Sequence, residues 1–180
     1  MQLIPPSGFE TQPWKNGGGI THEIARKEER GRLLWRLSIA EVGSDGPFSA
    51  FPGLARILTV IAGEGLLLDT PEGRLSALPL APLAFPGDLP ADCTRIAGAV
   101  RDFNVIYDPR RIRAAVRVLG AGTESALGAA PGRLHALLCL GPGCRLGDTS
   151  LPEGAVSLVD HDANAVAEGA PALVATLDRI

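Results

Sequence analysis

Histidine, cysteine and aromatic side chains are all scarce in this chain of 180 residues: three His, three Cys and 4% aromatics. Each scarcity excludes something. Cys93, Cys139 and Cys144 contain no CxxC pair, and the five-residue step from Cys139 to Cys144 crosses Gly141-Pro142-Gly143, the wrong spacing for a zinc knuckle. An odd count without a paired framework fits a reducing compartment, and Cys139, inside an apolar run, reads as core. His22, His135 and His161 do not assemble into a ligand set by spacing, so each reads as a structural or surface residue.

Charge of one sign is missing too. The formal net charge is -3 at pH 7, whereas binding to a nucleic-acid backbone needs clustered Lys and Arg that release counterions. Arg26-Lys27-Glu28-Glu29-Arg30 alternates in sign and reads as a solvated turn. No apolar run approaches the ~20 residues that span a bilayer. Met1 to Pro6 shows no basic segment followed by an apolar stretch, the mark of an export signal. The expectation is a cytoplasmic protein with no nucleic-acid or membrane partner. GxxxxGK[ST] and GxSxG are both absent, which removes the phosphate-loop and nucleophile-elbow chemistries.

What is present is a folded all-β pattern. Hydrophobic residues make up 46% and charged residues 21%, ordinary values for a chain with a real core. Gly and Pro, 22 and 15 of them, punctuate short apolar or alternating runs. Trp35–Val42, Arg56–Ala62 and Asp102–Tyr107 read as strands. Leu66–Asp69 and Arg74–Leu78 flank Thr70-Pro71-Glu72-Gly73, a hairpin by its turn chemistry. Ile112–Leu119 reads as a strand, although its alanines leave a helix open, and Gly120–Pro131 as a long loop. Leu134–Leu140, Ala155–Val159 and Ala172–Leu177 complete the set. Little helix is expected, because no long segment repeats every 3.6 residues.

Three segments carry chemistry. Trp14-Lys15-Asn16-Gly17-Gly18-Gly19 sets an indole, an ammonium and an amide before three glycines, which allow positive φ and close backbone approach. In the strand that follows, Thr21 and Glu23 share one face, opposite His22 and Ile24. The same loop would also serve purely as a tight turn capped by Trp14. Phe48-Ser49-Ala50-Phe51-Pro52-Gly53 delivers Arg56 to the start of an apolar strand, where it suits bidentate capture of a carboxylate or simple packing of its stem on Phe48 or Phe51. Asp102 and Asn104 face one side of their strand and Phe103 and Val105 the other; Arg36 and Ser38 share a face in the same way.

Ile61-Ala62-Gly63-Glu64-Gly65 and, some twenty residues on, Phe85-Pro86-Gly87-Asp88-Leu89-Pro90 look like the two turns of a cupin barrel, without the histidines of the metal-binding kind. With Trp14 to Gly19, Thr21, Glu23, Ile24, Trp35-Arg36, Ser38, Ala40, Phe48-Ser49, Phe51-Pro52-Gly53, Arg56 and Asp102-Phe103-Asn104, the chain resembles the HutD/Ves family over about residues 1–110. The resemblance implies an all-β, cupin-type (RmlC-like) double-stranded β-helix in a two-lobed bicupin unit, with lobes of about 1–110 and 111–180. It also implies no cofactor or obligatory metal, and an accessory or regulatory role in histidine utilisation.

The site expected from residues and resemblance together comprises Trp14, Lys15, Asn16, Glu23, Arg36, Arg56 and Asn104, around a small carboxylate such as an N-acylated glutamate. Lys15 with Arg56 or Arg36 would neutralise the ligand, Asn16 and Asn104 would orient it, and Trp14 would exclude water. Ligand binding is preferred to catalysis. The alternative is a metal-independent lyase, isomerase or amidohydrolase with Glu23 or Asp102 as general base. A homodimer is left open.

Overall fold

Arg30 and Gly31 both take positive φ, 53° and 73°, and close a two-residue turn between the two longest strands of the protein, each of 11 residues. Two consecutive left-handed residues match the twist of the strands they join, which is why such turns favour hairpins. The architecture comes from a computed structural model that describes residues 1–15 and 17–180. The expectations placed on Asn16 therefore lie outside the described residues.

The chain begins with β1 (Gln2–Ile4) and a 3-10 turn at Pro6–Gly8. Then come β2 (Glu10–Pro13), β3 (Gly19–Glu29), β4 (Arg32–Val42), β5 (Gly46–Pro47) and β6 (Ala55–Ala62). They are followed by β7 (Leu66–Thr70), β8 (Gly73–Ala77), β9 (Leu83–Pro86), β10 (Asp92–Arg95) and β11 (Val100–Tyr107). The second half holds β12 (Ile112–Leu119), β13 (Thr123–Leu127), β14 (Arg133–Cys139) and β15 (Cys144–Leu146). It ends with β16 (Thr149–Leu151), β17 (Val156–Val159), β18 (Ala163–Ala167) and β19 (Ala172–Arg179). Among the described residues no helix is long and apolar enough to cross a membrane.

The strands form two compact units, Glu10–Pro109 and a second made of Met1–Phe9 with Arg110–Ile180. In the first, a six-stranded sheet (β2-β3-β4-β11-β6-β9) faces a four-stranded one (β5-β10-β7-β8). Val42, Leu58, Val60 and Val100 of the larger sheet pack against Leu66, Leu68, Ala77 and Cys93 of the smaller. The second unit repeats the plan with sheets β1-β17-β14-β19-β12 and β13-β18-β15-β16. There Leu137, Cys139 and Val174 meet Leu127, Cys144, Leu146 and Ala165. The chain's first nine residues belong with this second unit, because Gln2–Ile4 pairs with Val156–Leu158 of β17.

Two local expectations are corrected. The charged run from Arg26 turns only at Arg30: β3 continues through it to Glu29, because pairing with β4 supplies its backbone partners, and Arg26, Lys27 and Glu28 remain exposed. Within Gly120–Pro131, Thr123–Leu127 forms a strand rather than loop, held by β18 despite its weak apolar signal. Ile112–Leu119 is a strand, and the predicted hairpin turns at Pro71-Glu72.

Candidate functional site

The inner face of the six-stranded sheet grades from polar at one end to apolar at the other, and strand register sets the order. Arg36 of β4 and Arg56 of β6 both stand level with Ile106 of β11. The next rung holds Ser38, Asn104 and Leu58, the one below Ala40, Asp102 and Val60, and the last pairs Val42 with Val100. On the other side of β11, Phe103 and Val105 are buried, as the alternation predicts.

A cavity of about 40 Å³ occupies the polar end. It is lined by Trp14, Arg36, Ser38, Phe48, Arg56 and Asn104, with Thr21, Ala40, Ser49, Phe51 and Ile106 completing the wall. That is room for roughly three water-sized spheres, so it admits a small acid or one end of a larger molecule.

Arg56 is the central cation, with only 6% of its surface exposed. Its Nε donates to Asn104 Oδ1 at 2.8 Å, and its guanidinium lies against the rings of Phe48, Phe85 and Phe51. Burial pulls its pKa down to about 10, against the attraction of Asp102, so it stays charged at neutral pH. Asn104 Nδ2 in turn donates to Asp102 Oδ1 at 2.5 Å. Asp102 is fully buried and lies behind the lining rather than in it. Burial pushes Asp102 up to about 6, with Arg56 and the Asn104 hydrogen bond acting the other way.

Arg36 is held differently. Its Nε donates to Glu23 Oε2 at 2.6 Å, and Arg26 approaches the other carboxylate oxygen at 3.6 Å. A β-bulge between Glu23 and Ala25 makes this arrangement possible. The extra residue re-aims the strand so that Arg26 comes level with Arg36 and joins Glu23 on the inner face. It also interrupts the expected alternation, leaving Glu23 and Ile24 both buried.

Trp14 closes another wall. Its indole Nε1 donates to Thr21 Oγ1 at 2.8 Å, and its ring lies beside Gly19. A Cβ on Gly19 would stand 2.4 Å from the Glu41 carbonyl oxygen and 3.0 Å from the Trp14 ring, so close approach demands glycine there. Gly17 differs: its φ of 72° demands glycine while the space around it is open. The Phe48–Phe51 segment is tied down by Phe48 N donating to Ala91 O and Phe51 N to Gly87 O.

Of the expected site residues, Trp14, Arg36, Arg56 and Asn104 come together in the cavity wall. Glu23 supports the site by holding Arg36. Lys15 is exposed on the turn and does not line the cavity, so the two cations that reach it are the arginines. Neither Glu23 nor Asp102, the suggested general bases, is among the residues that line it. Thr21, Phe48 and Ser38 are additions; the shared-face arguments for Thr21 with Glu23 and for Ser38 with Arg36 already pointed to two of them.

The histidines stay apart. His22 meets Thr11 and Glu41 on the opposite face of β3, His135 meets Thr176 and the Gly128 carbonyl, and His161 is exposed beside Asp160. Among the described residues no group of three or more His, Cys, Asp or Glu could share a metal ion, so the metal site of metal-binding cupins has no fitting donor set here.

Antiparallel sheets folded around an apolar interior, with a polar cavity at one end, define a cupin-type β-barrel protein. The fold matches bacterial pirin YhhW of Escherichia coli, whose structure is a nickel(II) complex, at a TM-score of 0.73 over 99% of this chain and 98% of that one, with 6% identity. The HutD family model matches residues 7–178, and the chain belongs to the HutD family. HutD from Pseudomonas fluorescens SBW25 is 31% identical with a TM-score of 0.87, covering 99% of this chain and 98% of its own. A conserved protein of unknown function from Pseudomonas aeruginosa PAO1 is 33% identical with a TM-score of 0.88 over the same shares. An uncharacterised 21.2 kDa protein of the hutC 3′ region of Pseudomonas putida is 45% identical over 118 residues. That match spans 63% of this chain and 62% of the relative.

Proposed function

We propose that this protein is a metal-independent binder of a small carboxylate, acting as an accessory or regulatory component of histidine utilisation. One observation carries the reading: two arginines, one almost wholly buried, line a single small cavity together with the Asn104 amide. Guanidinium groups present planar forks of donors that match a carboxylate, and a partly dry site strengthens the pairing. The ligand's carboxylate lies on Arg56 and Arg36. Asn104, which already holds Arg56, fixes the orientation, and Trp14 and Phe48 keep water out.

The cavity takes one end of an N-acylated glutamate, with the rest extending towards exposed Ser49. Two cations on a carboxylate support affinity in the micromolar range, about -8 kcal/mol. Family membership and the hutC setting of a relative favour acids of histidine breakdown.

A thermal-shift screen with urocanate, formiminoglutamate, N-formylglutamate, glutamate and formate tests this. At a hundred times its dissociation constant the right ligand adds about 2.7 kcal/mol, a shift of several degrees. The shift disappears in Arg56→Met. Stabilisation by none of these acids, or equal stabilisation of Arg56→Met, defeats the reading.

A further inference from the structure

We propose that Asp102, acting through Asn104 and Arg56, couples carboxylate binding in this cavity to the uptake of a proton. The inference rests on the carboxylate reading above and adds a role for a residue that never touches the ligand.

The geometry is a buried chain. Arg56 stands at the cavity rung, Asn104 on the next and Asp102 on the one below. Asn104 spans the gap, accepting from Arg56 Nε at 2.8 Å and donating to Asp102 Oδ1 at 2.5 Å. Asp102 Oδ1 also lies 3.9 Å from Arg56 Nη2. The other oxygen, Oδ2, is buried with no hydrogen-bond partner among the described residues. An ionised carboxylate with a bare oxygen in an apolar interior is costly, and a proton on it removes most of that cost. Val60 stands beside it on the same rung and Val42 and Val100 lie on the rung below, all in the apolar core.

Two negative charges then compete for one cation. In the empty site Arg56 is the countercharge that favours ionised Asp102. A ligand carboxylate on the cavity side of Arg56 claims the same positive charge and adds a like charge to a low-dielectric interior. Both effects favour protonated Asp102. Burial already holds Asp102 at about 6 in the free protein, so a further rise carries it into the neutral range.

The other groups facing this chain come from neighbouring strands. From β10, the Cys93 thiol is pushed up to about 12, chiefly by burial and next by Asp102, and stays neutral. From β4, Arg36 repels Arg56 and is itself paired with Glu23. Asp45, which acts on Cys93, sits in an exposed pair with Arg95.

Linkage fixes the sign. Where the bound protein carries the proton and the free protein does not, affinity falls as pH rises above about pH 6, by about tenfold in all at pH 8. Calorimetric titration of the full chain with N-formylglutamate and with formate, at pH 7 in buffers of different ionisation enthalpy, reads the uptake directly. The expected result is a fractional proton taken up per carboxylate bound, and none with formamide, which brings no charge.

Asp102→Asn keeps the shape and the hydrogen bond but cannot titrate. It should bind with buffer-independent heats and a flat profile from pH 5.5 to 8.5, and about tenfold tighter than wild type at pH 8. A residue that only supports the fold would not move proton uptake. Binding by wild type with buffer-independent heats and a flat pH profile overturns this inference alone. Failure of both acids to bind at any pH overturns it together with the carboxylate reading.

Discussion

The guanidinium carbon of Arg56 stands 4.2 Å from the centroid of the Phe48 ring, and the rings of Phe85 and Phe51 lie 5.7 and 6.0 Å away. A charged group so deeply buried needs compensation. The ring faces supply part of it without competing for the hydrogen bonds that a ligand would use. Phe48→Leu keeps apolar bulk but removes the ring that comes nearest. It should weaken carboxylate affinity about tenfold and lower stability by about 1 kcal/mol. Calorimetry and denaturant titration check the two effects separately.

Two of the three cationic positions named in the sequence, Lys15 and Arg56, should part company. Lys15 is exposed outside the cavity wall, while Arg56 is in it. Lys15→Ala should change affinity by less than about twofold, within the small worth of a screened surface charge. Arg56→Met should cost roughly a hundredfold, the usual loss when one partner of a desolvated charge pair is removed. Equal losses in both variants would move the site towards the glycine turn.

Stability should depend on pH through Asp102. Its folded pKa, about 6, lies above its ordinary value of 3.8. The folded state therefore binds more protons between those values, so stability falls as pH rises through the window and levels off above it. The difference corresponds to at most about 3 kcal/mol. Asp102→Asn should be more stable than wild type at pH 8 and nearly equal to it at pH 4, by urea denaturation. A less stable variant at pH 8 would show that the attraction of Arg56 outweighs burial.

Gly19→Ala should damage the Trp14 wall. The added methyl meets the backbone oxygen of Glu41, which cannot move aside as a side chain would. The cost should be about 1–3 kcal/mol, with Trp14 displaced and its fluorescence altered. Gly17→Ala should cost about 1 kcal/mol through backbone strain and leave Trp14 in place, since nothing lies near its added methyl. Thermal melts followed by tryptophan emission separate the two glycines.

Much of this arrangement is legible in the sequence. Alternation along Asp102-Phe103-Asn104-Val105 already put the two polar side chains on one face, and the same rule set Arg36 beside Ser38. The bulge at Glu23 was not legible, because an extra residue in one strand shows only against its partner. Nor was the depth of Asp102, since strand alternation tells which face a residue takes but not how far down the barrel it lies. The β13 strand escaped because Thr-Glu-Ser-Ala-Leu has little apolar signal, and its order comes from β18.

By itself the sequence determined that this is an all-β chain with turns at its Gly and Pro clusters, a HutD signature and no histidine in its two cupin-like turns. These properties are local or compositional, set by side-chain period, backbone freedom and donor chemistry. Only the tertiary structure decided that Arg36, Arg56 and Asn104 share one cavity, that Lys15 does not, and that Asp102 stands behind them. Register between β4, β11 and β6 sets Arg36 and Asn104, 68 positions apart in the chain, on adjoining rungs, and register is a property of paired strands rather than of any one.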